Sequence, residues 1–146
     1  MDSTTDARRI AGRNMRFGWF ALLIFATLGI ALETMHGFKI GWYLDVGNEV
    51  RRLMWRLAHA HGGLLAIVNI LYALVAGSRE EAAAGRLAKA SPLLIAAAVL
   101  LPLGFFLGGI WTHGGDPFIG ILLVPAGALC FLAGLALTAS GLRGRH

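Results

Sequence analysis

Long apolar runs separated by short polar breaks dominate the chain. Four such runs, 17–38, 57–77, 92–112 and 117–142, are predicted to be helices. Each holds about 20 residues or more, which at about 1.5 Å per residue crosses a hydrocarbon layer of roughly 30 Å. None alternates with the period of two that a half-buried strand needs. A backbone in lipid must satisfy its own hydrogen bonds, which again favours helices. The predicted fold class is all-α: a polytopic membrane protein, a four-transmembrane-helix bundle forming one domain over 1–146, with 1–16 as a cytoplasmic tail. The first run has a basic flank, as a signal peptide would. It also carries Glu33 near its end and has no clear small-x-small cleavage site, so it is read as a retained helix.

The breaks carry their own signals. Ser78 with Glu81 three residues on reads as a capping box that restarts a helix after Gly77. Ser91-Pro92 and Asp116-Pro117 read as N-cap and first helical residue of the third and fourth spans. Gly114-Gly115 then forms a tight turn between those spans. Asn48 is a candidate cap for a helix that starts outside the membrane and runs into the second span. Trp42, Tyr43 and Trp55 read as interfacial anchors. Pro102 and Pro125 fall near mid-membrane, where proline kinks a helix and makes room. Gly104 and Gly108 form a GxxxG face for close helix packing.

Composition agrees with this class. Apolar residues make up 57% of the chain and charged residues 14%, against roughly 25% charged in a soluble domain. Mean hydropathy is +0.68. The single cysteine, Cys130, excludes an intrachain disulfide and reads as a small hydrophobe. The net charge of +5 sits in arginines at the ends of apolar runs, so no nucleic-acid partner is expected. Nine Lys/Arg lie on the side of the termini and second connection, and four (Lys39, Arg51, Arg52 and Arg56) on the other. The positive-inside rule then puts both termini in the cytoplasm, in what reads as a bacterial inner membrane.

Chemistry must come from a few polar residues. His36 ends the first span, His59 and His61 open the second, and His113 ends the third, so all four share one level at the outer boundary. Glu33, Asp45, Glu49 and Asp116 join them there or just outside. Glu33 and His36 share a helix face at i, i+3. An intramembrane carboxylate is costly, so Glu33 is a functional candidate. His59 and His61 point about 200° apart. The face of His59 continues through Gly62, Gly63, Ala66 and Asn69, and that of His61 through the bulkier Leu64, Leu65, Val68 and Tyr72. His59 is therefore expected to face inward.

Imidazoles and carboxylates on facing helix ends suit a metal site (Zn, Cu, Fe or Mn) drawn from Glu33, His36, His59, His61, His113 and Asp116. Two of His36, His59 and His113 could instead ligate haem b axially, with Arg51, Arg52 or Arg56 on the propionates. A third use is a proton relay. Glu33-x-x-His36 matches one half of the di-iron carboxylate pattern, but no second half is present. The stretch from Leu57 to Leu65, LAHAHGGLL, resembles the HxHxxLLG pattern of small proteins related to the catalytic subunit of haem-copper oxidases. Its leucine spacing departs from that pattern, and no second motif accompanies it. No nucleophile–base pair, phosphate loop or nucleotide fingerprint is present. The expected function is a small membrane subunit that binds haem or a metal ion and passes electrons or protons. Its partners would be the lipid bilayer and other membrane subunits or a second copy. The alternatives are a structural or assembly subunit without cofactor, in which Glu33 pairs with Arg52 or Arg56, and a small transporter.

Overall fold

The computed structural model describes residues 3–45, 47, 49–78, 85–112 and 114–142, with side chains from Asp6 onward. Four helices account for nearly all of it: α1 (Ser3–Gly37), α2 (Val50–Gly77), α3 (Arg86–Gly108) and α4 (Leu123–Leu142). A short 3-10 turn, Ile119–Leu122, leads into α4. The fold is all-α, a four-helix bundle, and all four helices are long and apolar enough to cross a membrane. Large apolar side chains such as Phe20, Ile24, Leu64, Leu71, Leu129 and Leu132 point outward. In water they would form one continuous sticky surface, whereas lipid solvates them.

The helices pack in chain order, α1 on α2, α2 on α3 and α3 on α4, with α1 and α3 only touching. Their seams follow a repeat of about 3.5 residues. On α2 the seam is Ala58, Gly62, Leu65, Asn69, Tyr72 and Ala76. On α3 it is Leu87, Ala90, Leu94, Ala97, Leu101, Gly104 and Gly108. On α1, buried Ala7, Asn14, Gly18, Ala21 and Leu32 keep the same spacing. Small residues dominate because association in lipid depends on backbones approaching closely. A methyl at Gly18 would strike Ile70 and Ala66, and one at Gly127 would strike the Leu101 backbone. Gly104 and Gly108 meet Val124 and Ile121, so the GxxxG face is used inside the molecule.

Several local expectations change. The charged segment before Phe17 is helical: α1 continues back to Ser3, carrying Arg8, Arg9, Arg13 and Arg16 on its surface. Ser78 ends α2 rather than opening a helix, its hydroxyl donating to the Val75 carbonyl, and Glu81 lies outside the described residues. Ser91 and Pro92 lie inside α3, which starts at Arg86 after Gly85. Asp116 does not cap α4, because the chain passes through exposed positions and the 3-10 turn first. The α3–α4 connection therefore spans Gly109 to Phe118, with Gly114 and Gly115 at φ +60° and +93°. Pro125 falls in the first turn of α4, where a missing donor costs nothing. α2 begins at Val50, ahead of its apolar run, while Asn48 lies outside the described residues. Tyr43 and Trp55 are core residues, 2% and 6% exposed, and only Trp42 stays open.

The feature the hydropathy pattern conceals is a buried polar knot joining three helices. Asn14, Asn69 and Ser91 are each fully buried. The Asn14 Nδ2 donates to Asn69 Oδ1 at 2.8 Å. The Asn69 Nδ2 donates to the carbonyls of Leu65 (2.9 Å) and Leu94 (3.2 Å). The Ser91 hydroxyl donates to Asn14 Oδ1 and accepts from Arg13 Nη2 at 2.6 Å. Tyr72 donates to the Leu87 carbonyl beside it. Every buried side-chain polar atom among the described residues has a partner. Removing one member leaves another orphaned, at about 1–3 kcal/mol. We expect Asn69→Ala to destabilise the bundle by that amount in detergent unfolding. Asn14→Ala combined with Asn69→Ala should cost less than the sum of the single changes. Strict additivity would show that the knot is not coupled.

Candidate ligand site at the loop end of α1 and α2

The end of the bundle that carries the first and third connections is termed the loop end. There a groove of about 1090 Å³ runs along the open side of the α1–α2 seam. From α1 it is lined by Gly29, Glu33 and His36, which share a helix face at i, i+4 and i+7. From α2 it is lined by Arg56, His59 and Ala60, and from the first connection by Tyr43. The walls between them are apolar, with Ala26, Ile30, Leu53 and Leu57.

His59 is the best-held group in this set. Its Nδ1 lies 2.8 Å from the Phe25 carbonyl oxygen. A carbonyl can only accept, so Nδ1 carries the hydrogen. Nε2 has no hydrogen-bond partner among the described residues. The ring lies directly on Gly29, where any Cβ would overlap it. One turn on, Gly62 receives the Phe25 ring in the same way. Of the small face of α2 predicted from Gly62, Gly63, Ala66 and Asn69, all but Gly63 turn toward α1, and Gly63 has open space around it. His61 points the other way: its Nδ1 meets the Leu57 carbonyl at 2.9 Å, and its ring packs 4.9 Å from that of Phe105 on α3. On the bulkier face Leu65 and Tyr72 are buried as well, at 2% and 3% exposure, while Leu64 points outward. The reason is that α2 is sandwiched between α1 and α3, so both its faces pack on protein.

Glu33 and His36 are exposed at the groove rim. Glu33 has no ion pair among the described residues, and Arg52 pairs with Glu49 rather than with it. Tyr43 faces the charges of Arg56, Arg52 and Glu33. Desolvation pushes its phenol up from the ordinary tyrosine value, with the two arginines opposing the rise. It is therefore a neutral hydroxyl at physiological pH.

The first connection is clamped over this end. Arg51 donates to the carbonyls of Trp42 (2.9 Å) and Gly109 (3.2 Å), the latter at the α3 C-terminus, and lies 4.7 Å over the Trp42 ring. A guanidinium suits that position, since the helix end presents unpaired carbonyls and partial negative charge. Trp55 donates to the Phe106 carbonyl at 3.1 Å and stacks on Phe106 and Tyr43.

Of the sequence-derived candidates, Glu33, His36 and His59 therefore share one groove. His61 lies on the opposite side of α2, Asp116 is exposed in the α3–α4 connection, and His113 lies outside the described residues. No group of three or more His, Cys, Asp or Glu able to hold a metal ion forms among the described residues. Arg56 and Gly29 gain importance: Gly29 precedes Glu33 by one turn on the same face, which is the signal that could have found it. A second groove, of about 590 Å³, lies between α1 and α3 and includes Pro102; its lining, with Phe17, Phe20 and Phe106, carries no polar side chain. No family model, no curated protein and no solved structure matches the chain.

The His59 geometry has a direct readout. We expect the neutral ring to be the Nδ1–H tautomer, reported by ¹⁵N chemical shifts of labelled imidazoles. Gly29→Ala should displace the ring and abolish that preference. An Nε2–H tautomer in the unaltered protein would contradict the bond to Phe25.

Proposed function

We propose that this protein is a membrane subunit that takes haem b in the α1–α2 groove, where His59 and His36 would hold its iron, and passes electrons for a larger complex. The observation that carries the reading is the His59 ring, fixed through Nδ1–H to a backbone carbonyl while Nε2 remains for a ligand. Metal-bound histidines are commonly oriented in this way. Haem is preferred to bare Zn, Cu or Fe because of donor number. A closed site for a bare ion needs about four ligands from the protein. In haem the porphyrin supplies the equatorial nitrogens, so two imidazoles suffice. Glu33 beside them is available to exchange protons with the ligand site.

Protein purified from membranes, or reconstituted with haem, is expected to show a Soret band and iron near one per chain. His59→Ala should lose both, while His61→Ala, on the far side of α2, should keep them. Neither a Soret band nor stoichiometric metal after reconstitution would overturn the reading.

We further propose a bacterial inner-membrane location with both termini in the cytoplasm, which rests on the nine-to-four distribution of Lys and Arg. Gly41 is exposed with open space around it. In a Cys130→Ala background, Gly41→Cys should react with an impermeant maleimide in intact cells. Labelling only after lysis would invert the topology.

A further inference from the structure

Three arginines stand at the loop end, and their engagements differ. Arg51 is bound to the carbonyls of Trp42 and Gly109, and Arg52 to Glu49. Arg56 is exposed and has no hydrogen bond or ion pair among the described residues. It also borders two cavities at once, the groove and an adjoining one of about 300 Å³ lined by Glu49, Arg52 and Gly115. Its guanidinium therefore stands at the rim where the two meet.

The helix register adds a second observation. Gly29 against His59, and Gly62 against Phe25, set α1 and α2 antiparallel. This pairing places Glu33 and Arg56 at the same level on facing helices. Opposite charges so placed would ordinarily close into a pair, yet the groove lies between them. Below that level its walls are apolar apart from His59, with Ala26, Ile30 and Leu57.

We infer that Arg56 is the anion-recognising group of this groove, and that the ligand is an amphiphile bearing a carboxylate on an apolar body. The inference rests on the proposal that the groove is a ligand site, and it assigns the ligand's charged end. The carboxylate binds Arg56 at the rim, where a charge-assisted bond is strong and the ligand's charge stays out of the hydrocarbon. The body lies along Ala26, Gly29 and Ile30, reaching His59. Glu33 on the opposite wall repels the carboxylate and so keeps it on the Arg56 side of the groove. A haem with its propionates is one such amphiphile, and a fatty acid is the simpler case.

The test uses the full chain in discs of zwitterionic lipid, titrated with haem, haem dimethyl ester and oleate. Haem binding should weaken about tenfold or more in Arg56→Gln, the scale of one hydrogen bond to a charged group. Arg56→Lys should recover part of it. The dimethyl ester, which lacks the carboxylates, should bind the unaltered protein and Arg56→Gln equally. Because Arg56 is exposed and unbonded, its substitution leaves the packing intact; an unchanged elution profile checks this. Haem that binds through His59 with no loss in Arg56→Gln and no effect of esterification would overturn the inference while sparing the haem proposal. Oleate binding that depends on Arg56, with no haem binding, would support the inference and overturn the haem proposal. Binding of neither probe would overturn both.

Discussion

The polar knot of Asn14, Asn69 and Ser91 is the constraint on which the rest of the bundle depends. In an apolar surround each of these groups must find a partner inside the protein, and each finds it on another helix. The seams around them are built from Ala, Gly and Leu at similar spacing. Such seams pack closely but discriminate poorly between registers, because a slide by one heptad sets small residues against small residues again. The knot discriminates well. A slip of α1 along α2 by a single turn would orphan the Asn14 Nδ2 and the Asn69 Oδ1 that accepts from it. One buried polar contact thus sets register, the best-attested role for such groups in helix seams.

That register reaches the candidate site. Asn69 and His59 are ten residues apart on α2, about 15 Å along the axis. With Asn69 held against Asn14, His59 arrives opposite Gly29 and within reach of the Phe25 carbonyl. The loop end needs its own restraint, and Arg51 and Trp55 supply it by tying the first connection and α2 to the last turn of α3. The groove between α1 and α2 is what remains when both ends of the pair are held and no fourth helix covers the open side. α4 packs on α3 instead, burying only Gly127 and Gly134. The polar lining of this groove and the bare lining of the α1–α3 groove set apart two cavities that size alone would not rank chemically.

Much of this was legible in the chain. Run length and composition point to four helices long and apolar enough to cross a membrane, because a hydrophobic run of that length has few other solutions. The small face of α2 through Gly62, Ala66 and Asn69 marked His59 as the histidine turned into the seam. Helix ends were less legible. Hydropathy reports where lipid would begin, not where the backbone stops being helical, so α1 and α3 extend past their apolar runs. The Ser-Pro pair reads as a cap because local signals cannot tell a first turn from a later one when tertiary packing supports the helix, and the Asp-Pro pair because they cannot show that a 3-10 turn intervenes before α4.

What the sequence by itself determined is the class: an all-α chain whose four helices are long and apolar enough to span a bilayer, with four of its five histidines and four of its eight acids toward one end. Spacing carries that information, since 3.6 residues per turn and the thickness of a bilayer are properties of any helix in any membrane. Only the tertiary structure decided which polar groups meet. Four histidines at one level looked like a single constellation. Yet α2 lies between two partners, and residues two apart on a helix face different neighbours, so His59 joins Glu33 and His36 while His61 turns to Phe105. Nor did spacing single out Arg56 among three nearby arginines. That distinction required knowing which groups the other two had found: Glu49 one turn away for Arg52, and for Arg51 the Trp42 carbonyl in the first connection and the Gly109 carbonyl, 58 residues away at the end of α3.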